Sequence, residues 1–143
     1  MSAAHPTPFE ITVRVTEADI DGQGHVNNVV YLRWAQDVAV AHWRKLAPNE
    51  SRDTIGWVVL RHEIDYKAAG FLHDELRVGT WVGELEGLSF ERHTEITRPN
   101  DNKVLARVRT LWVPINPETG RPTRVSAEVR EIFSRAAAGM PNE

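Results

Sequence analysis

The sequence predicts a single α+β domain in which an antiparallel sheet of about five strands wraps around one long central helix. Three observations carry that expectation. Residues 9–16 alternate strictly between apolar and polar side chains. Residues 29–46 switch to helical spacing along two apolar rows. From 57 to 115 the chain reads as four long strand-like runs separated by short turns.

The first eight residues carry two prolines and small side chains and read as a loose arm. In the strand that follows, Phe9, Ile11, Val13 and Val15 fall on one face, and Glu10, Thr12, Arg14 and Thr16 on the other. Residues 17–28, rich in Asp, Gly and Asn, have a loop composition. Within 29–46, Tyr31, Trp34, Ala35, Val38 and His42 recur at helical spacing, and Leu32, Ala39, Trp43 and Leu46 form a second row beside them. Only a narrow polar strip remains around Arg33, Gln36, Asp37 and Arg44, so this helix is expected to be covered on most sides. Asn27 or Asn28 can cap its start, Val26 can pack on Tyr31 as a hydrophobic staple, and Pro48-Asn49 ends it.

The strand-like runs cover 57–66, 75–86, 89–98 and 104–115, with Ala69-Gly70, Glu86-Gly87 and Pro99-Asn100-Asp101 as turns. Antiparallel neighbours joined by short turns are the simplest pairing. A short helix capped by Ser126 follows, with Val129, Ile132, Phe133 and Ala136 on one face. The expected domain is 9–136, flanked by a flexible arm at 1–8 and a flexible tail at 137–143. The other face of the sheet and its edges need cover, and a homodimer or dimer of dimers supplies it for a chain of this size.

With 143 residues the chain can bury a real core. Its formal net charge of -3 gives no basic field to attract nucleic acid or an anionic membrane. The absence of cysteine excludes disulfides, a thiolate nucleophile and cysteine-ligated zinc. His42, His62, His73 and His93 show no metal-ligand spacing, so no metal is expected. No signal-like start and no apolar run long enough to span a bilayer are visible, which makes a cytoplasmic location the expectation. A Gly-x-Ser-x-Gly elbow, and with it a serine-hydrolase mechanism, is missing.

The chemistry-bearing segment is Asp19-Ile20-Asp21-Gly22-Gln23-Gly24-His25-Val26-Asn27-Asn28, which places carboxylates, a histidine and amides just before a helix start. The first N–H groups of a helix lack internal partners and carry the positive end of its dipole. They can hydrogen-bond a thioester carbonyl and stabilise the oxyanion formed on attack. A nearby carboxylate can attack that carbon or take a proton from attacking water. Gly22 and Gly24 let the backbone approach a ligand closely. Asp19 and Asp21 together could hold a divalent cation, but the further oxygen ligands at regular spacing are missing.

The pattern Asp19-x-Asp21-x-x-Gly24-His25-Val26-Asn27-Asn28-x-x-Tyr31-x-x-Trp34 resembles the signature of the hotdog-fold thioesterases. It looks like the 4-hydroxybenzoyl-CoA thioesterase family of Pseudomonas type and the related acyl-CoA thioester hydrolases. The stretch from His25 to Asn28 is also similar to plant acyl-ACP thioesterases. Further along, His62-Glu63-Ile64-Asp65-Tyr66, Gly70, Asp74-Glu75-Leu76, Thr80-Trp81-Val82 and Gly120-Arg121-Pro122 extend the likeness over nearly the whole chain.

The resemblance implies a thioesterase acting on an acyl-CoA or related acyl thioester, with CoA as part of the substrate and no separate cofactor. It assigns Asp21 as the catalytic carboxylate, nucleophile or general base, and the Asn28 backbone amide as the group that polarises the carbonyl. His25 matches a proposed catalytic partner in the plant enzymes. Their asparagine falls at Gln23, where this sequence departs from the pattern. Gly24, Asn27, Tyr31 and Glu63 are the positions expected to contact substrate, Glu63 from a partner subunit. Two rival activities use the same fold: a hydratase or dehydratase working through His25 and Asp37, and an acyl-CoA-binding module without turnover.

Overall fold

β1 (Phe9–Arg14) realises the alternating segment, and β3 (Glu75–Glu86) pairs with it antiparallel from Phe9–Thr80 to Arg14–Glu75. This computed structural model describes residues 5–139; residues 1–4 and 140–143, parts of the expected arm and tail, lie outside the described residues. β4 (Ser89–Arg98) follows β3 across a two-residue turn, β5 (Lys103–Ile115) pairs with β4, and β2 (Gly56–Tyr66) closes the far side. The five-stranded antiparallel order is β1-β3-β4-β5-β2, which leaves β1 and β2 as edges.

α1 (Asn28–Leu46) lies on one face of this sheet. Its buried side chains, among them Tyr31, Trp34, Ala35, Val38, Ala39 and Trp43, come from both expected rows, and the polar strip stays exposed. Asn27 is the cap: its side chain accepts the Val29 N–H at 3.1 Å. α1 ends at Leu46, just before Pro48. A single turn, α2 (Asn49–Arg52), follows α1 before β2 begins. α3 (Ala127–Ala137), capped by the Ser126 hydroxyl, packs Val129 and Phe133 beside the C-terminal half of α1.

The interior falls into two apolar clusters. One gathers around the start of α1 and holds Tyr31, Trp34, Val38, Leu76, Val78, Ile96 and Leu105. The other gathers around its end and holds Trp43, Val82, Phe90, Val129 and Phe133, with Trp57 and Trp112 packed against it. Between them, each of four strands and α1 contributes polar side chains in phase with the apolar ones: Thr80, Arg92 and Thr94, Thr110, His62 and His42. This band is hydrogen-bonded internally. An Arg92 Nη1–H donates to Thr80 Oγ1 at 3.2 Å, and the same nitrogen lies 2.8 Å from His42 Nδ1. Thr80 donates to the His93 carbonyl, and His62 Nδ1 lies 2.8 Å from Thr110 Oγ1.

The outward face of the sheet carries paired charges, including Arg107 with Glu95, and Arg109 with both Glu91 and Glu63. Trp81, also on that face, stacks between His5 and His93. Among the described residues no helix is long and apolar enough to cross a membrane.

Candidate active site

The segment between β1 and α1 is built on Asp19, whose side chain is buried. Its carboxylate accepts the Thr16 N–H at 2.9 Å, the Thr16 hydroxyl at 3.2 Å and the Arg33 guanidinium at 2.8 Å. Burial alone would raise the Asp19 pKa, but the Thr16 and Arg33 hydrogen bonds outweigh it and hold the carboxyl below its ordinary value. The Asp19 carbonyl accepts the Asn27 N–H at 2.8 Å, which ties the loop's beginning to the helix start. Of the two aspartates in the motif, Asp19 is therefore consumed by structure.

Asp21 carries lighter obligations and stays partly exposed. The loop closes on itself through an Ile20–Val26 bridge and the Asp21 N–H to His25 carbonyl bond at 2.9 Å. Gly24 completes the turn at φ 86°, in the left-handed region that favours glycine. The Asp21 side chain keeps a quarter of its surface exposed. Its Oδ1 accepts the Gln23 N–H at 2.8 Å, and its Oδ2 lies 3.4 Å from His25 Nδ1.

A second support comes from the chain after β2. The Gly70 carbonyl accepts the Val26 N–H at 2.9 Å, and the Gly70 N–H donates to Tyr31 Oη at 3.0 Å. A Cβ at position 70 would stand 3.1 Å from Val26 Cγ2, so any larger residue there pushes on the Val26 side chain. Arg98 fixes the neighbouring turn by donating to the Ala69 carbonyl, Asp74 and Asp101. Its hydrogen bonds with Asp101 and then Asp74 push its pKa above the ordinary guanidinium value.

At the helix start, the Asn27 side chain takes the Val29 N–H and the Asn27 carbonyl takes the Val30 N–H at 2.9 Å. The Asn28 carbonyl accepts the Tyr66 hydroxyl at 2.8 Å. The Asn28 N–H has no acceptor among the described residues. The site thus offers a partly exposed carboxylate, a histidine beside it and an unengaged backbone donor at the positive end of a 19-residue helix.

Asp21, Gln23, Gly24, His25, Asn27 and Asn28 belong to this one loop-and-helix unit. Gln23 enters it through its main chain. Tyr31 is buried, 2% exposed, with its hydroxyl on Gly70, so its part is to hold the loop's support. Burial also raises its pKa. Glu63 stands elsewhere: it lies on the outward face of β2, paired with Arg61 at 2.8 Å and with Arg109. Asp37 is exposed on α1, nine positions beyond Asn28, or about 14 Å along the axis.

Sequence reasoning missed Arg92. It is buried in the polar band beside a cavity of about 50 Å³, whose walls include Trp43, Trp57, Phe90, Trp112 and Phe133. The signal was present: Arg92 falls in phase with Phe90, Thr94 and Ile96 in a strand that alternates. Burial pushes its pKa down to about 10. Burial, the Arg92 charge and Lys45 push His42 down to about 3, so its ring stays neutral and accepts from Arg92.

Comparison with known proteins bears on what such a site does. Residues 10–133 match the family model described as the Thioesterase-like superfamily. The long-chain acyl-CoA thioesterase FadM of Escherichia coli K12 is 27% identical over 128 residues, which cover 86% of this chain and 95% of that protein. The structure of a thioesterase from Thermus thermophilus, complexed with coenzyme A and zinc, is 26% identical, with a TM-score of 0.77 over 89% of this chain and 98% of that one. SAV2348 from Staphylococcus aureus, solved in complex with CoA, is a likeness of fold alone. At 16% identity it has a TM-score of 0.84 over 100% of this chain and 92% of its own. A family match across residues 10–133, on a five-stranded antiparallel sheet with one long helix on its face, makes this chain a member of the hotdog thioesterase-like superfamily.

Proposed function

We propose that the chain hydrolyses an acyl-CoA to the free carboxylic acid and the CoA thiol, with Asp21 as nucleophile or general base and the Asn28 N–H as oxyanion donor. The observation that carries this reading is the unengaged Asn28 N–H at the start of α1, on the unit that presents the Asp21 carboxylate. As general base, Asp21 takes a proton from water as the water oxygen bonds to the thioester carbon. As nucleophile, it forms the bond itself, and water then hydrolyses the resulting anhydride. In either case the carbonyl oxygen gains negative charge facing a donor that needs no reorganisation. The CoA thiolate leaves and takes up a proton. His25, 3.4 Å from Asp21, orients the carboxylate or the water.

Acyl-CoA as the substrate class is supported by the name of the Escherichia coli relative and by the coenzyme A complex of the Thermus thermophilus thioesterase. The protein is proposed to work as a homodimer or dimer of dimers, with CoA lying across the subunit interface. Edge strand β2, which exposes Val58 at 43% and Leu60 at 61%, is where a second copy would add. Such an arrangement would also give Glu63 its expected route to a partner's site.

Asp21→Asn tests the reading. It keeps the shape of the side chain and removes its basicity. Release of free thiol from acyl-CoA is expected to fall by about two to four orders of magnitude, with an unchanged urea midpoint. Turnover close to that of the unsubstituted protein would end the proposal.

A further inference from the structure

The main chain around Asn28 is engaged almost throughout. The Asn27 N–H donates to the Asp19 carbonyl, the Asn27 carbonyl accepts the Val30 N–H, and the Asn27 side chain accepts the Val29 N–H. The Asn28 carbonyl accepts the Tyr66 hydroxyl at 2.8 Å. The peptide between Asn28 and Val29 is thus clamped at both ends, its N–H by the cap and its carbonyl by Tyr66. A carbonyl oxygen has two lone pairs. As the first residue of α1, Asn28 gives one to the helix and leaves the other to the tyrosine.

Tyr66 reaches that carbonyl from 38 positions further along the chain. It is the last residue of β2, paired with Ala106 of β5, and it stands in phase with His62 and Ile64. Ile64 packs on the apolar cluster around the start of α1. The Tyr66 ring lies edge-on to Tyr31, with centroids 5.6 Å apart and planes at 75°. Partial burial raises its pKa, so the phenol keeps the proton it donates. Four residues later the Gly70 carbonyl accepts the Val26 N–H, and the Gly70 N–H donates to Tyr31. The chain leaving β2 therefore holds the site twice, at Val26 and at Asn28, on either side of Asn27.

A tyrosine on a carbonyl in the middle of a helix would add a little stability and nothing more. What matters here is which residue carries the carbonyl. Helix ends fray first, and the unengaged donor of the site, the Asn28 N–H, belongs to the first turn. An oxyanion donor is effective when it is already aimed at the oxygen that gains charge. The N–H and the carbonyl of Asn28 flank one α-carbon. Fixing the carbonyl fixes the ψ of Asn28 and removes one of the two soft rotations through which this residue could swing.

We infer that Tyr66 is a positioning residue for the hydrolysis: acting through the Asn28 carbonyl, it keeps the Asn28 N–H aimed at the thioester oxygen. This rests on the thioesterase reading for the effect on rate, though not for the holding of Asn28. Tyr66→Phe keeps the ring and its contact with Tyr31 and deletes the hydroxyl. It should lower kcat for acyl-CoA hydrolysis by about tenfold, a part of the roughly hundred- to thousandfold that loss of an oxyanion donor costs, and leave KM within about twofold. In an Asn28→Pro background, where the donor is already gone, the same change should cost less than about twofold. A loss of kcat by the same factor in both backgrounds, or an unchanged kcat in Tyr66→Phe, overturns the inference.

The order parameter of the Asn28 N–H bond, taken from nuclear magnetic relaxation of the free protein, reads the holding without turnover. In Tyr66→Phe it is expected to fall from the rigid-backbone value of about 0.85 toward about 0.6, while the amides of β4 stay as they were. That fall, in a protein that hydrolyses no acyl-CoA, upholds the clamp on Asn28 and brings down the thioesterase reading alone. An order parameter that does not move overturns the clamp, and if acyl-CoA is still hydrolysed the thioesterase reading stands without it.

Discussion

Gly70→Ala places one methyl group against Val26 of the candidate loop, 44 positions earlier in sequence. The new Cβ would sit 3.1 Å from Val26 Cγ2, and 3.4 Å from both Leu105 Cδ1 and Tyr31 Oη. Carbon atoms in contact prefer about 3.5–4.0 Å, so the Val26 side chain must give by a few tenths of an ångström. Gly70 has no positive φ, so the substitution tests space and not backbone strain. Overpacking of this kind costs about 1–3 kcal/mol. Alanine returns about 0.4–1 kcal/mol by restricting the unfolded chain. The expected net loss is about 1–2 kcal/mol, read as a lower urea midpoint.

Turnover should suffer more than stability. Val26 is bridged to Ile20 and follows His25, so displacing it moves Asp21 relative to the Asn28 amide. Misplacement on this scale costs about ten- to a hundredfold in rate. Val26→Ala removes the atom that the methyl strikes. The double variant should therefore lose less stability than the two single losses added, a coupling of about 0.5–3 kcal/mol. Strict additivity, or normal turnover in Gly70→Ala, would refute the idea that Gly70 supports the loop through close approach.

Other expectations follow from the same geometry. Asn28→Ala should be mild in thiol release and within about 0.5 kcal/mol in stability, since Asn27 is the cap and the Asn28 side chain is exposed. Asn28→Pro, tolerated at the first helical position, should cost about a hundred- to a thousandfold by removing the oxyanion donor, and equal damage from both would move the function to the side chain. His42 stays neutral in the fold down to about pH 3, whereas the unfolded chain protonates it near its ordinary 6.5. The unfolded state then binds more protons between those values, so stability should fall as pH drops from about 6.5 toward 3. The one-proton limit is about 1.4 kcal/mol per pH unit, reduced here because the ring is only half-buried. Urea midpoints at about pH 7, 6 and 5 should flatten in His42→Gln, and an unchanged slope would remove His42 from the account. Light scattering at micromolar concentration should give a dimer or tetramer, and a fully active monomer would contradict the edge-strand argument.

The elements that obey one local rule are legible in the residues alone. The alternation from Phe9 on and the Ser126 cap each name their own geometry, the start of α1 is legible to within one residue because Asn27 and Asn28 are both capping types, and 75–86 and 89–98 end where their turn residues begin. The candidate loop is legible for the same reason, because its residues are contiguous. What stays hidden depends on distant partners. Nothing local distinguishes Asp19, buried on Arg33 fourteen residues away, from Asp21, left partly exposed two residues on. The one-turn α2 is too short to show a period. Arg92 reads as an ordinary strand charge until β3, β5 and α1 enclose it.

The polar band across the middle of the core has a mechanical consequence. A helix seated on a purely apolar sheet can slide by a fraction of a turn while exchanging one methyl contact for another at little cost. Here any axial slip of α1 carries the His42 ring away from Arg92 and strands two hydrogen-bonding groups in the interior. The pair therefore works as an indexing pin, fixing the helix along its own axis as well as against the sheet. Asn28 is fourteen residues, or about 21 Å, from that pin. Over that span α1 behaves as a rigid rod, so a contact deep under one end determines where the free amide stands at the other.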